Sequence, residues 1–325
     1  MPRSCRIPMP LSQRLGASMS TENDPLRLDE TSVRRNFERA APGYDQAAAL
    51  HREVAARMAE RLGVVRIAPS TILDAGCGTG EALAELQARY PDARRVGVDL
   101  AHGMVKAAQA RAAPRPAEGQ TLLSRLAGFR SAPAAPWIVC GDIVALPLRT
   151  GSIDLVWSNL MLQWVNDPNK AFAEFHRVLA TGGLLSFTTL GPDTLHELRS
   201  AFASADSAIH VHRFIDMHDL GDMLLHAGFA DPVMDMEMLT LTYADSISLM
   251  RELKALGAAN AAAGRRRGLT GPKRWRRALA ELRKFCTDGR WPASFEVIYG
   301  HAWKADARFA ADGRAIVRFE RPSRR

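Results

Sequence analysis

Three glycines at every second position, in "LDAGCGTGEAL" (residues 73–83), form the densest chemical signal in the chain. Gly76, Gly78 and Gly80 let a backbone adopt dihedrals that a Cβ forbids and approach a ligand closely. Such a turn between strand and helix suits NAD, FAD, a phosphate or S-adenosylmethionine. The dinucleotide fingerprint places a third glycine at its sixth position, where pyrophosphate meets a helix N-terminus. Here that position is Glu81, and Asp74 adds a second carboxylate before the first glycine. Two negative charges penalise a pyrophosphate and favour the cationic sulfonium and ammonium of S-adenosylmethionine.

Two further acids follow at the ends of apolar runs. Asp99 closes "RVGVDL" (95–100), where a carboxylate can accept hydrogen bonds from ribose hydroxyls. Asp142 follows "WIVCG", where it can accept from the adenine amine while Ile143 packs on the ring. A single aspartate there reads as a turn former. Three, each behind its own strand and following a glycine turn, read as a cofactor constellation in a parallel sheet.

The elements that must position these residues alternate between strand and helix from residue 70 to about 205. Strands are expected at 71–75, 95–100, 137–142, 153–160 and 183–190, all five buried. Helices are expected to begin near Gly80, His102, Asp167 and Pro192, the last with its proline in the first turn. Two more strands, 232–243 and 294–303, flank about fifty residues of mainly helical pattern, and residues 29–62 read as a helical lead-in. The Pro/Gly/Ala-rich stretch 113–136 reads as a surface insertion.

With 325 residues, 47% hydrophobic and 24% charged, the chain can bury a large core, and no apolar run approaches the roughly 20 residues of a membrane span. Cys5, Cys77, Cys140 and Cys286 show no metal-ligand spacing and suit a reducing, cytoplasmic setting. Net charge is +8; without Arg3, Arg6 and Arg14 of the acid-free first 18 residues it is still +5, which suits an acidic partner. That first segment is expected to be disordered, with Met19 the natural start. The nine histidines are scattered over surface-like stretches, and most of them read as solvated helix or loop residues.

The glycine turn and its three aspartates resemble those of the S-adenosylmethionine-dependent methyltransferases of the seven-stranded Rossmann-like type, and what the sequence lacks narrows the methyl acceptor that this resemblance implies. After the fourth strand, nucleic-acid amine methyltransferases carry Asn/Asp-Pro-Pro-aromatic, whereas this chain has Ser158, Asn159, Leu160 and Met161, with Asn159 a candidate cofactor contact. Neither Cys140 nor Cys286 sits beside the loop proline that cytosine-carbon methylation needs. An acceptor that is already ionised, such as a carboxylate, needs no base.

From about residue 31 to 303 the chain resembles the malonyl-acyl-carrier-protein O-methyltransferases of biotin synthesis. The likeness rests on "FERAAPGYDQAAALH" (37–51), "WSNLMLQW" (157–164), "FTTLGPDTLHELR" (187–199), "HRFIDMHDL" (212–220), "MRELKALGAAN" (250–260) and "SFEVIYG" (294–300). His51 departs from it, standing where glutamine is expected, as do the 113–136 insertion and the tail after Lys304. The resemblance implies a Rossmann-like, seven-stranded class I methyltransferase sheet with helices on both faces, a helical lead-in and a helical insertion between the last two strands. A related group keeps this fold as an arginine hydroxylase assembling respiratory complex I, and a non-catalytic cofactor-binding scaffold is a third possibility.

Under the resemblance, Tyr44 and Asp45 would close over the cofactor, although Tyr44 also reads as a helix-end packing residue. Arg199, Arg213, Arg251 and Lys254 are the cations placed to hold an acceptor carboxylate. "GRRRGLTGPKRWRRA" (264–278), basic from Arg265 to Arg277, would dock an acidic acyl-carrier protein; without an aromatic series it argues against nucleic acid. The expected division is an extension (1–28), a lid (29–69), a cofactor-binding core (70–243), an acceptor and partner insertion (244–293), a final core strand (294–303) and a tail (304–325).

Overall fold

The computed structural model describes residues 24–113 and 134–306. The segment before residue 24, nearly all of the 113–136 stretch and the tail beyond residue 306 lie outside the described residues, and the expectations for them with it.

Seven strands form one sheet in the order β3-β2-β1-β4-β5-β7-β6. They are β1 (Thr71–Ala75), β2 (Arg94–Asp99), β3 (Trp137–Cys140), β4 (Ile153–Ser158), β5 (Leu179–Leu190), β6 (Ala230–Tyr243) and β7 (Trp291–Trp303). The first five are parallel, and β7 inserts antiparallel between β5 and β6. Strand order reverses between β1 and β4, the place where parallel sheets open a crevice for ligands.

The lead-in comprises α1 (Glu30–Ala40), α2 (Tyr44–Ala47) and α3 (Ala49–Leu62). Helices α4 (Glu81–Arg89), α5 (His102–Ala112) and α6 (Pro168–Val178) connect the parallel strands. After β5 come α7 (His196–Ala203) and α8 (Met217–His226), and between β6 and β7 lie α9 (Ser246–Ala255) and α10 (Pro272–Leu282). Short polar side chains start several of them: Asp29, Asp167, Asp216 and Asp245 each accept a backbone N–H from the first turn of α1, α6, α8 and α9.

Two apolar layers cover the sheet. Leu50, Val54 and Met58 of α3 pack with Trp157, Phe295 and Tyr299 on one face, joined by Leu198 of α7 and Leu282 of α10. Phe172 and Phe175 of α6 pack with Phe187, Leu220 and Leu224 on the other. Full burial of side chains of this kind stabilises by about 1.5–3 kcal/mol each. Among the described residues no helix is long and apolar enough to cross a membrane.

Three expectations are corrected. β3 is not buried: it is an edge strand, with Trp137 74% exposed, because it pairs on one side only. The helix after β5 begins at His196, not at Pro192. Residues 191–194 instead form a turn closed by the Thr194 N–H to the Gly191 carbonyl, and the Glu296 carboxylate takes the Asp193 N–H at 2.7 Å. The histidines are not uniformly solvated: His212 is buried, accepting the Ala261 N–H at Nε2 with its ring against Trp164, and His51 is half-buried.

Candidate active site

The glycine turn is held by its neighbours before any ligand is considered. Gly76, Gly78 and Gly80 all have positive φ, at 80°, 52° and 78°. A Cβ on Gly76 would also fall 2.3 Å from Met161 Cγ, so glycine is required there twice over. The N–H groups of Gly76 and Cys77 both donate to the Val98 carbonyl, and the Gly78 N–H donates to Asp99 Oδ2 at 2.9 Å. Asp99 Oδ1 accepts from the Ala101 N–H at 2.8 Å. Burial raises the Asp99 pKa, and the two backbone bonds oppose that.

Asp74 is the second residue from the end of β1, 2% exposed, with an Oδ2 that has no hydrogen-bond partner. Burial first, then the charge of Asp99, pushes its pKa to about 8. An unpaired buried carboxyl in a glycine cradle asks for a cation. Asp142 lies two residues beyond β3; it is exposed and caps the turn Ile143–Ala145 through the Val144 N–H, with Ile143 buried behind it. A cleft of about 410 Å³ opens here, walled by Leu100, His102 and Cys140 from the sheet side and by Arg34, Arg35 and Glu38 of α1.

The lead-in covers this turn and is tied to it. Asp45 Oδ1 accepts from Thr79 Oγ1 at 2.6 Å, and its other oxygen pairs with Arg111 of α5, whose Nε donates to the Thr79 carbonyl. Glu38 accepts the first N–H groups of α5, His102 at 2.6 Å and Gly103 at 2.7 Å, where the helix dipole favours a carboxylate. Tyr44 lies near Asp99, Asp45 and Glu81; burial, then those three charges, raises its phenol pKa. Its ring meets His51 edge-on at 5.6 Å.

Beyond β4 the chain turns sharply. Leu160 takes φ of 48°, unusual for a branched residue, and donates its N–H to Thr188 Oγ1. That hydroxyl donates in turn to Asn159 Oδ1 at 2.7 Å, and Asn159 Nδ2 donates to the His51 carbonyl at 3.0 Å. Asn159 thus ties β4, β5 and α3 together beside the glycine turn.

A larger cleft of about 750 Å³ lies past the ends of β4 and β5, lined by Gln163, Pro192, Arg199, Phe202, His210 and Arg213 among others. Arg199 donates to the Pro192 and Thr194 carbonyls at 2.7 and 3.0 Å, so its guanidinium is held in place. Arg213 is exposed on the same wall. Arg251 and Lys254 are exposed on α9 and do not line this cleft. Of the basic run, Arg265 is tied inward, to Asp29, Ser32 and the Ala262 carbonyl, which takes it out of any docking face.

Sequence reasoning overlooked Thr79, Arg111, Glu38 and Thr188. Thr79 lay inside the glycine motif and Glu38 inside the lead-in motif, so both were within sight. Thr188 likewise lay inside the quoted 187–199 motif, whereas Arg111 carried no local signal. The His210–Asp206 pair, at 2.7 Å with the imidazole stacked 4.3 Å from Phe202, was likewise hidden among histidines read as solvated.

These residues fit S-adenosylmethionine: the unpaired Asp74 Oδ2 awaits a cation, and the glycine cradle bears no phosphate-binding sixth glycine. A family profile described as "Methyltransferase domain" matches residues 73–187. A methyltransferase structure from Bacillus halodurans aligns with a TM-score of 0.50 at 17% identity, over 78% of this chain and 99% of that one, a likeness of fold. The malonyl-[acyl-carrier protein] O-methyltransferase of Laribacter hongkongensis is 53% identical over 90% of this chain and 96% of its own length. That of Gallionella capsiferriformans is 49% identical, with the same coverage. At such identity across nearly the whole of each relative, with the cofactor turn and the sheet order in place, the chain belongs to the malonyl-[acyl-carrier protein] O-methyltransferase family.

Proposed function

We propose that this protein esterifies the free carboxylate of malonyl carried on acyl-carrier protein, using S-adenosylmethionine as methyl donor, in the cytoplasmic synthesis of biotin. The observation that carries this reading is the pairing of 53% identity to an enzyme of that name with a cleft bearing Arg199 and Arg213 past the ends of β4 and β5. The relatives give the arginine-hydroxylase and scaffold alternatives no support.

When bound, S-adenosylmethionine supplies an electrophilic methyl group on a sulfonium. Asp74, Asp99 and the three glycines would hold its amino-acid and ribose ends, with Asp142, Ile143 and Asn159 completing the contacts. The acceptor carboxylate is anionic at neutral pH, so the chain has no proton to remove. Its work is to align an acceptor oxygen with the methyl carbon and to exclude water. Tyr44 roofs the turn, and Asp45 fastens that roof instead of meeting the reacting atoms. Arg199, fixed by two carbonyls, and Arg213 offer single charge-assisted contacts to the carboxylate. Residues 29–69 then serve as the lid; residues 244–293, none of which lines the larger cleft, serve as the partner side. Arg266, Arg267, Lys273, Arg274, Arg276 and Arg277 are all exposed and present the docking charge for an acidic carrier.

Malonyl-acyl-carrier protein incubated with methyl-labelled S-adenosylmethionine should yield a base-labile ester and S-adenosylhomocysteine. Rescue of a biotin auxotroph checks the same assignment in a cell. Absence of ester from every carrier and from malonyl-CoA would overturn the reading.

A further inference from the structure

His51 lies in the lead-in, and its surroundings give its imidazole a use. It occupies the first turn of α3. On one side its ring meets Tyr44, the residue over Asp99 and Glu81; on the other its carbonyl is held by Asn159, just past β4. It therefore stands beside Tyr44 of the lead-in and against the chain just past β4, the strand that borders β1 where strand order reverses. Its Nδ1 is fully buried and has no hydrogen-bond partner. A buried polar atom left unpaired costs about 1–3 kcal/mol. Burial, with the nearby charge of Arg52, pushes the imidazole down to about 4, so it is neutral at physiological pH.

A neutral imidazole has one N–H to give. Placed on Nδ1, that proton can orient a carboxylate without the charge of a guanidinium, and so without draining its nucleophilicity. We propose that His51 is a binding residue that donates its Nδ1–H to a ligand carboxylate beside Tyr44 and the end of β4. The proposal rests on the methyltransferase reading above. Two ligands carry such a group: the amino-acid end of the methyl donor, and the malonyl acceptor.

The test uses the full chain with His51→Leu and His51→Gln. Calorimetry compares S-adenosylhomocysteine with methylthioadenosine, a thioether nucleoside lacking the amino-acid end, and steady-state kinetics read the acceptor KM. If the donor carboxylate is the partner, His51→Leu weakens S-adenosylhomocysteine roughly tenfold and leaves methylthioadenosine unchanged. If the acceptor is the partner, both affinities hold and the KM for malonyl-acyl-carrier protein rises by a similar factor. Glutamine, which keeps an N–H donor, restores either loss.

Equal weakening of both nucleosides would make His51 a packing residue and overturn the proposal, as would no change in any of the three measurements. Should the leucine variant fail to fold, NMR of the imidazole in the native chain decides. A carboxylate partner shifts the His51 Nδ1 resonance on adding S-adenosylhomocysteine, or on adding malonyl carrier to that complex, but not on adding methylthioadenosine; no shift with either would overturn it. The calorimetric arm does not require the acceptor to be malonyl, so failure of the wider functional reading would show separately, as absence of ester from the native chain.

Discussion

Asp74 is where protonation and ligand binding meet most directly. Its carboxyl is raised to about 8 in the folded chain, so the folded state holds a proton there that the unfolded chain releases near 4. Stability from this source is present below that lower value and is lost as pH rises through about 8. Asp74→Asn should flatten the fall in urea midpoint between these two values in the ligand-free protein. A ligand ammonium beside Asp74 would drive the proton off. Binding of S-adenosylhomocysteine at pH 7 should therefore release up to roughly one proton, read by calorimetry in buffers of different ionisation enthalpy, and Asp74→Asn should abolish that release. Asp99→Ala should weaken the same ligand by roughly 1.5–3 kcal/mol, more than Asp99→Asn, because it removes both the ribose acceptor and the clasp on the Gly78 N–H.

The lead-in is fastened at two ends by different means. Its far end, α3, is bolted to β6 by Arg57 with Glu237 and by Arg61 with Asp235, and the Arg61 guanidinium lies 3.7 Å from the Tyr299 ring centroid. Its near end depends on Glu38 and on the Asp45–Thr79–Arg111 latch, which is partly exposed. Partly exposed pairs are worth about 1 kcal/mol or less. Arg111→Ala should leave global stability nearly intact, speed hydrogen exchange across residues 44–47 and weaken cofactor binding by roughly threefold to tenfold. Faster exchange confined to α5 would show that the arginine serves its own helix instead. The turn after β5 is a tighter case. A Cβ on Gly191 would lie 2.3–2.7 Å from the Glu296 carboxylate, which holds the Asp193 N–H. Gly191→Ala should cost about 1–3 kcal/mol in chemical denaturation and raise the acceptor KM while cofactor affinity is kept, since the turn carries the carbonyls that fix Arg199.

Charge is distributed unevenly over the molecule. α10 buries Ala278 and Leu282 and sets Trp275 6.0 Å from Phe202, which lines the larger cleft, while Lys273, Arg274, Arg276 and Arg277 face outward. The helix that carries the basic face therefore packs, through Trp275, against a residue of the cleft wall. Neutralising Arg274, Arg276 and Arg277 together should raise the KM for malonyl-acyl-carrier protein and leave turnover on a small malonyl thioester nearly unchanged. The native preference for the carrier should fade with added salt, because exposed charges are screened beyond about 8 Å at physiological ionic strength. Equal losses on both substrates would assign those arginines to the fold.

The strands, their order of appearance and the glycine turn could be read from residue types alone, because these are local consequences of composition. An apolar run makes a strand, and only glycine tolerates the dihedrals found at Gly76, Gly78 and Gly80. Asp99 was legible for the same reason, as the last residue of β2. The ionisation of Asp74 was not legible, since it depends on how completely the sheet and the lead-in exclude water around it. The work of Asp45 depends on Arg111, 66 residues away, and that of Asn159 on Thr188, 29 residues away. The same holds for the basic run: sequence shows its charge, but only the packing of residues 24–32 against residues 261–265 removes Arg265 from the surface. Backbone conformation is chosen by each residue and its neighbours; partnership and burial are chosen by the whole chain once it has closed on itself.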